Sequence, residues 1–156
     1  LLNKELLIEN KDFTNLYENF SSVTSLINIV ELNVPEKSGI IIPPYFEIMR
    51  DLFSNYNIFF TDKHDGNLIL SGPSLSREII DRMNLLLGGD YTSFPPLSSG
   101  NQYGEIRNKY MNLSEETFIN INKIYPTYNF IIVESEKELD LDLISKNKFW
   151  KLYKII

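Results

Sequence analysis

The fold of this chain depends most on the stretch Asn129-Phe-Ile-Ile-Val-Glu-Ser-Glu-Lys-Glu-Leu-Asp-Leu-Asp-Leu143. Its first part, residues 129–134, is rich in β-branched and aromatic residues and predicts a strand. Residues 149–156 predict another strand. The structure of the segment between them, residues 135–148, therefore affects both the sheet and the function.

Carboxylates occupy every second position from residue 134 to residue 142: Glu134, Glu136, Glu138, Asp140 and Asp142. If the backbone is extended, all five lie on one face, roughly 6.6 Å apart, as an anionic docking strip. If it is helical, they are scattered around the helix. A capping-box pattern at residues 135–138 supports the helix but does not exclude an extended backbone, so both alternatives stay open. In either case the partner of this end of the chain is expected to be basic.

Upstream, hydrophobic spacing and turn residues predict further elements. We expect one or two short helices in residues 1–20, a strand at 26–34 stopped by Pro35, and a helix at 45–56. A β-hairpin is expected at 58–70 with its turn at Asp65-Gly66, then helices at 75–87 and at 115–125, the second capped by Ser114. Residues 88–104 predict a long loop. This order indicates an α+β fold, a single domain over 1–156 with a mixed or antiparallel sheet of about five strands and three to five packed helices.

Composition narrows the range of partners. The 156 residues contain 21 acidic and 15 basic side chains, giving a net charge of −6 and a pI near 4.8, which opposes direct binding to nucleic acid or to an anionic membrane surface. The absence of cysteine excludes disulfides, thiolate nucleophiles and cysteine metal sites. Apolar runs are too short for a membrane span, and we expect a soluble, cytoplasmic chain. The chain does not start with methionine, which suggests trimming or a fragment of a longer polypeptide.

Candidate chemistry is sparse. A single histidine, His64, lies in the predicted hairpin turn; it is too little for a two-histidine metal centre and reads more simply as a solvated turn residue. The turn from Ser71 to Arg77 precedes a helix and offers a possible anion site, although a serine cap explains it as well. Aromatic residues in the 88–104 loop and Phe149-Trp150 are possible binding groups, with core packing as the alternative.

From these observations we expect a non-enzymatic, acidic protein-binding domain of the inhibitor, immunity or escort type. Its partner would be a basic protein such as a nuclease toxin, bound through Glu134, Glu136, Glu138, Asp140 and Asp142. We expect no catalytic residue, no metal and no cofactor. Two alternatives stay open: a small-ligand or phosphate-binding domain or enzyme that uses the Ser71–Arg77 turn, and a structural piece of a larger polypeptide.

Overall fold

The computed structural model describes residues 11–45, 53, 55–59, 73–89 and 102–156; for 11–20, 73–76 and 102–105 it describes the backbone alone. Four helices lie in these ranges: α1 (Lys11–Asn33), α2 (Pro73–Leu87), α3 (Gln102–Met111) and α4 (Glu115–Ile124). Five strands accompany them: β1 (Gly39–Ile41), β2 (Asn57–Ile58), β3 (Tyr128–Glu134), β4 (Asp142–Lys146) and β5 (Trp150–Lys154). The predicted α+β class with a mixed five-stranded sheet is confirmed.

The sheet has the strand order β2-β1-β3-β5-β4. The first three strands run parallel, while β5 is antiparallel to both β3 and β4. At the N-terminal end of β1, a Cβ on Gly39 would lie 2.4 Å from the carbonyl oxygen of Thr127, so only glycine fits this approach to β3. The parallel half and the antiparallel half therefore join along β3.

Helices cover both faces of the sheet. Along β3, Phe130 and Ile132 contribute to a core on the face covered by α1, while Ile131 and Val133 contribute to a core on the other face, which also takes in residues of α2, α3 and α4. Because both of its faces are buried, β3 reads as a continuous apolar run rather than as an alternation.

The strand predicted at 26–34 is wrong, because residues 26–33 form the C-terminal part of α1. The buried residues are Leu26, Ile29, Val30 and Val34, which follow helical spacing, whereas Leu32 is 83% exposed. In an extended chain Leu32 would share a face with Leu26 and Val30. The β-branched residues of this segment suggested a strand, but packing against the sheet outweighs that preference.

Helix α3 was not predicted, and its first turn lies inside the predicted 88–104 loop. Its apolar pattern is weak: Ile106 and Tyr110 are its buried residues among those whose side chains are described. The helix predicted at 115–125 is confirmed as α4, with Phe118 and Ile121 buried, but Ile124 is exposed. Ser114 is the N-cap residue, although its hydroxyl makes no capping hydrogen bond to the backbone.

Helix α2 confirms the helix predicted at 75–87 and ends at Leu87, just before Gly88, whose φ of 62° suits glycine. Strands β3 and β5 confirm the two predicted C-terminal strands. Residues 1–10, most of the predicted helix at 45–56, most of the predicted hairpin at 58–70 and most of the 88–104 loop lie outside the described residues.

Candidate functional site

The acidic run, which we define as residues 134–142, is neither a helix nor a continuous strand. Glu134 is the last residue of β3, a turn follows at 135–136, and β4 begins at Asp142. The turn is closed by a hydrogen bond of 3.0 Å from the Lys137 amide to the Glu134 carbonyl oxygen. The helical alternative for this segment is therefore wrong, and the extended alternative holds only at its two ends.

Glu134 lies in a polar cluster with Tyr45 and Arg107. The guanidinium of Arg107, on α3, donates two hydrogen bonds to the Glu134 carboxylate, at 2.8 and 2.5 Å. The hydroxyl of Tyr45 donates a further one to the same carboxylate. Burial, followed by the neighbouring Glu134, raises the pKa of the Tyr45 hydroxyl far above its ordinary value, and the hydrogen bond to Glu134 raises the pKa of Arg107.

This cluster lies at the carboxyl ends of two adjacent parallel strands, β1 and β3. Among the described strands, β2, which follows β1, lies on one side of this pair, whereas β4 and β5, which follow β3, lie on the other. Open sheets often bind ligands at such a reversal point. Here the charged groups of Arg107 and Glu134 bind each other, so the cluster ties β1, β3 and α3 together.

The next carboxylate, Glu136, shares Arg107 with Glu134. Its oxygen lies 2.5 Å from Nη2 of the arginine, but its side chain is 64% exposed against 19% for Glu134. An ion pair this exposed contributes little to stability. One arginine thus holds one half-buried and one solvated carboxylate.

Two buried lysines fix the middle of the run. The Lys137 ammonium donates hydrogen bonds of 2.8 and 2.6 Å to the carbonyl oxygens of Met111 and Leu113, at the C-terminal end of α3. Burial lowers the pKa of Lys137, while the nearby Glu115 carboxylate acts in the opposite direction. The Lys151 ammonium, on β5, donates to the Lys137 carbonyl oxygen at 3.1 Å.

Lys151 also binds Glu138, with Nζ 2.5 Å from the carboxylate oxygen, and the Tyr153 hydroxyl donates to the other oxygen at 3.2 Å. These two hydrogen bonds, that of Lys151 first, lower the pKa of Glu138 although its side chain is 79% exposed. Asp140 and Asp142 are also exposed, and within the described part of the chain neither forms an ion pair. The five predicted carboxylates therefore lie along one connection but in different environments.

The sequence did not reveal the partners of these carboxylates. Arg107, Lys151 and Tyr45 come from α3, β5 and the segment after β1, so no local pattern connects them with the acidic run. The available signal was the alternation of Lys137 and Leu139 with the acidic residues Glu136, Glu138 and Asp140. Lys137 and Leu139 do turn inward, although residues 135–141 form no strand.

Other predicted sites are settled only in part. Trp150 belongs to the core and donates a hydrogen bond of 2.8 Å to the Ser22 carbonyl oxygen. His64, Ser71, Tyr91 and Phe94 lie outside the described residues, as does the side chain of Tyr103. Arg77 is exposed on α2, so the anion site at Ser71–Arg77 stays a prediction. Among the described side chains, no three carboxylates or imidazoles lie close enough together to hold a metal ion.

No protein-family model, no curated protein and no solved structure matches this chain. None of the described helices is both long enough and apolar enough to cross a membrane.

Proposed function

We propose that this chain is a non-enzymatic acidic protein-binding domain that binds a basic protein. Its binding region is the acidic surface, which we define as the four exposed carboxylates Glu136, Glu138, Asp140 and Asp142. The observation that supports this proposal is that all four are exposed along one short connection between β3 and β4. Glu134, which the sequence also predicted to bind the partner, is left out of this surface because its carboxylate binds Arg107 and is only 19% exposed.

The connection that carries the acidic surface is held in place from inside the protein. Lys137 joins it to the end of α3, and Lys151 joins it to β5 through both a backbone and a side-chain oxygen. A backbone fixed in this way loses little conformational entropy when a partner binds. The cationic side chains of the partner would then meet carboxylates that are already in position.

Charge favours the same class of partner. The net charge of −6 attracts a basic protein at long range, which raises the association rate and makes it sensitive to salt. The form of this function that we propose is an inhibitor or immunity protein for a cationic toxin such as a nuclease, or an escort for another cationic protein. A cytoplasmic location is part of the same proposal.

The test requires a positive interaction. Tagged protein is used to capture partners from the source cell, native mass spectrometry identifies stoichiometric complexes, and association rates are then measured at several salt concentrations. The informative variant is Asp140→Lys with Asp142→Lys, because these two carboxylates take no part in the internal ion pairs. The matched control is Glu31→Lys with Glu36→Lys, which changes the net charge equally at the exposed end of α1.

We expect the variant in the acidic surface to reduce the association rate by about tenfold or more, and the control by less than about threefold. Equal effects of the two variants would mean that net charge alone attracts the partner. A partner that binds the acidic-surface variant as tightly as the natural sequence would exclude this surface as the interface.

A further inference from the structure

We propose that the outer edge of β4 pairs with β4 of a second copy of this chain, in an antiparallel arrangement about a twofold axis. Strand β4 is at the end of the sheet order and pairs with β5 on one side; no other described strand lies along its opposite side. An unpaired edge presents backbone N–H and C=O groups that can extend the sheet by one more strand.

The charges along this edge are arranged in a self-complementary order. Asp142 begins β4 and Asp140 precedes it, Lys146 ends β4 and Lys148 follows it, and all four side chains are exposed. An antiparallel copy brings the acidic end of each strand beside the basic end of the other. A parallel copy would place like charges together, so the charge order selects the antiparallel arrangement and a twofold axis.

The centre of the edge is apolar. Leu143 and Ile144 are 41% and 37% exposed, and the pairing with β5 shifts register between Leu143 and Ser145, so that Ile144 has no partner residue in β5. In the antiparallel pair, Leu143 and Ile144 of both copies meet near the twofold axis. An apolar centre with charged ends is the usual composition of a protein interface.

A groove lies between this edge and α1. Leu32, which is 83% exposed, lines this groove of about 270 Å³ together with Ile29 and with polar residues that include Ser145 and Lys146. The strand itself is short, so the contact area is small and the dimer is weak. This self-association does not depend on the proposed function, although it would cover Asp140 and Asp142 and so compete with a basic partner.

Charged residues also protect sheet edges against unwanted pairing, and a pair of charge-reversal variants distinguishes the two roles. The basic-edge variant carries Asp140→Lys and Asp142→Lys, and the acidic-edge variant carries Lys146→Asp and Lys148→Asp. Each has like charges along the whole edge, so neither can pair with itself, but the two are complementary to each other. Far-ultraviolet circular dichroism and thermal melting verify that both are folded.

Sedimentation velocity from about 10 µM to about 1 mM measures dimer formation by each protein. Native mass spectrometry of the mixed variants detects the heterodimer. We expect the natural sequence to dimerise with rising concentration, each variant alone to lose at least about nine tenths of its dimer, and the mixture to form the heterodimer. A natural sequence that stays monomeric throughout, or folded variants that fail to combine, would overturn the pairing. Because only this purified chain is used, neither result bears on whether a basic partner exists.

Discussion

The two halves of the acidic run share one spacing of carboxylates but differ in how the protein uses them. In the anchored half, Glu134 to Leu139, three carboxylates bind Arg107 or Lys151, and Lys137 and Leu139 are buried. In the exposed half, which starts at Asp140 and which we take through β4 to Lys146, the charged side chains face solvent. Regular charge spacing therefore does not establish a docking strip, because cations from distant elements determine which carboxylates remain available.

The largest effect is expected at the least exposed of the three carboxylates in the anchored half. Glu134→Gln removes the charge that receives two hydrogen bonds from Arg107 and one from Tyr45, and we expect it to lower the free energy of unfolding by about 2 kcal/mol. The control Glu136→Gln changes the exposed carboxylate on the same arginine and should cost less than about 1 kcal/mol. Urea denaturation of both variants measures the difference, and equal losses would contradict the distinction between the two carboxylates.

A smaller effect is expected for the buried lysine of the anchored half. Lys137→Met leaves the Met111 and Leu113 carbonyl oxygens without their ammonium donor, which should cost about 1 to 2 kcal/mol, partly offset because a buried charge is removed. Lys146→Met, in the exposed half, should change stability by less than about 0.5 kcal/mol. Thermal denaturation at pH 7 compares them. If Lys146→Met proved the more damaging, the assignment of the two halves would be reversed.

Glu138 is the last carboxylate of the anchored half, and its effect on stability should depend on pH. Its pKa in the folded protein is below the ordinary value of 4.5, so its ionised form adds stability that is present above that value and is lost as the pH falls through the folded pKa. The melting temperature of Glu138→Gln should therefore lie slightly below that of the natural sequence near neutral pH. The difference should disappear in acid, and a difference that grew on acidification would contradict the sign.

The smallest effect on stability is expected for Asp142→Asn in the exposed half. No described cation pairs with Asp142, so the change in the free energy of unfolding should stay within about 0.5 kcal/mol. Chemical denaturation measures it, with Glu134→Gln as the sensitive reference. A loss comparable to that of Glu134→Gln would show that the exposed half also carries structural ion pairs.

The sequence predicted those parts of the fold whose signals are local. Helices α2 and α4 have clear apolar stripes and defined ends, and strands β3 and β5 are compact β-branched or aromatic runs. The segment at 26–34 was misread because Leu26, Val30 and Val34 fit both the strand and the helix period. The burial of Ile29 and the exposure of Leu32 separate the two, and both depend on tertiary packing.

The candidate site was less predictable than the fold. The positions of the five carboxylates were evident, but their partners are determined by where α3 and β5 pack. Helix α3 itself was missed because its apolar pattern rests on few residues, and with it Arg107, which binds two of the five carboxylates. The charge of a surface can be read from the sequence, whereas its neutralisation depends on contacts between remote segments.

The position of β3 between the parallel and antiparallel halves of the sheet has a consequence for the order of folding. Strands β3, β4 and β5 are neighbours in sequence and can form their antiparallel unit through short loop closures. Strand β1 pairs with β3, which lies far from it in sequence, so this pairing is expected to form later. During synthesis α1 and β1 leave the ribosome before the strands that cover them. We therefore expect nascent chains to keep the apolar side of α1 accessible to chaperones until the last strand, β5, has emerged.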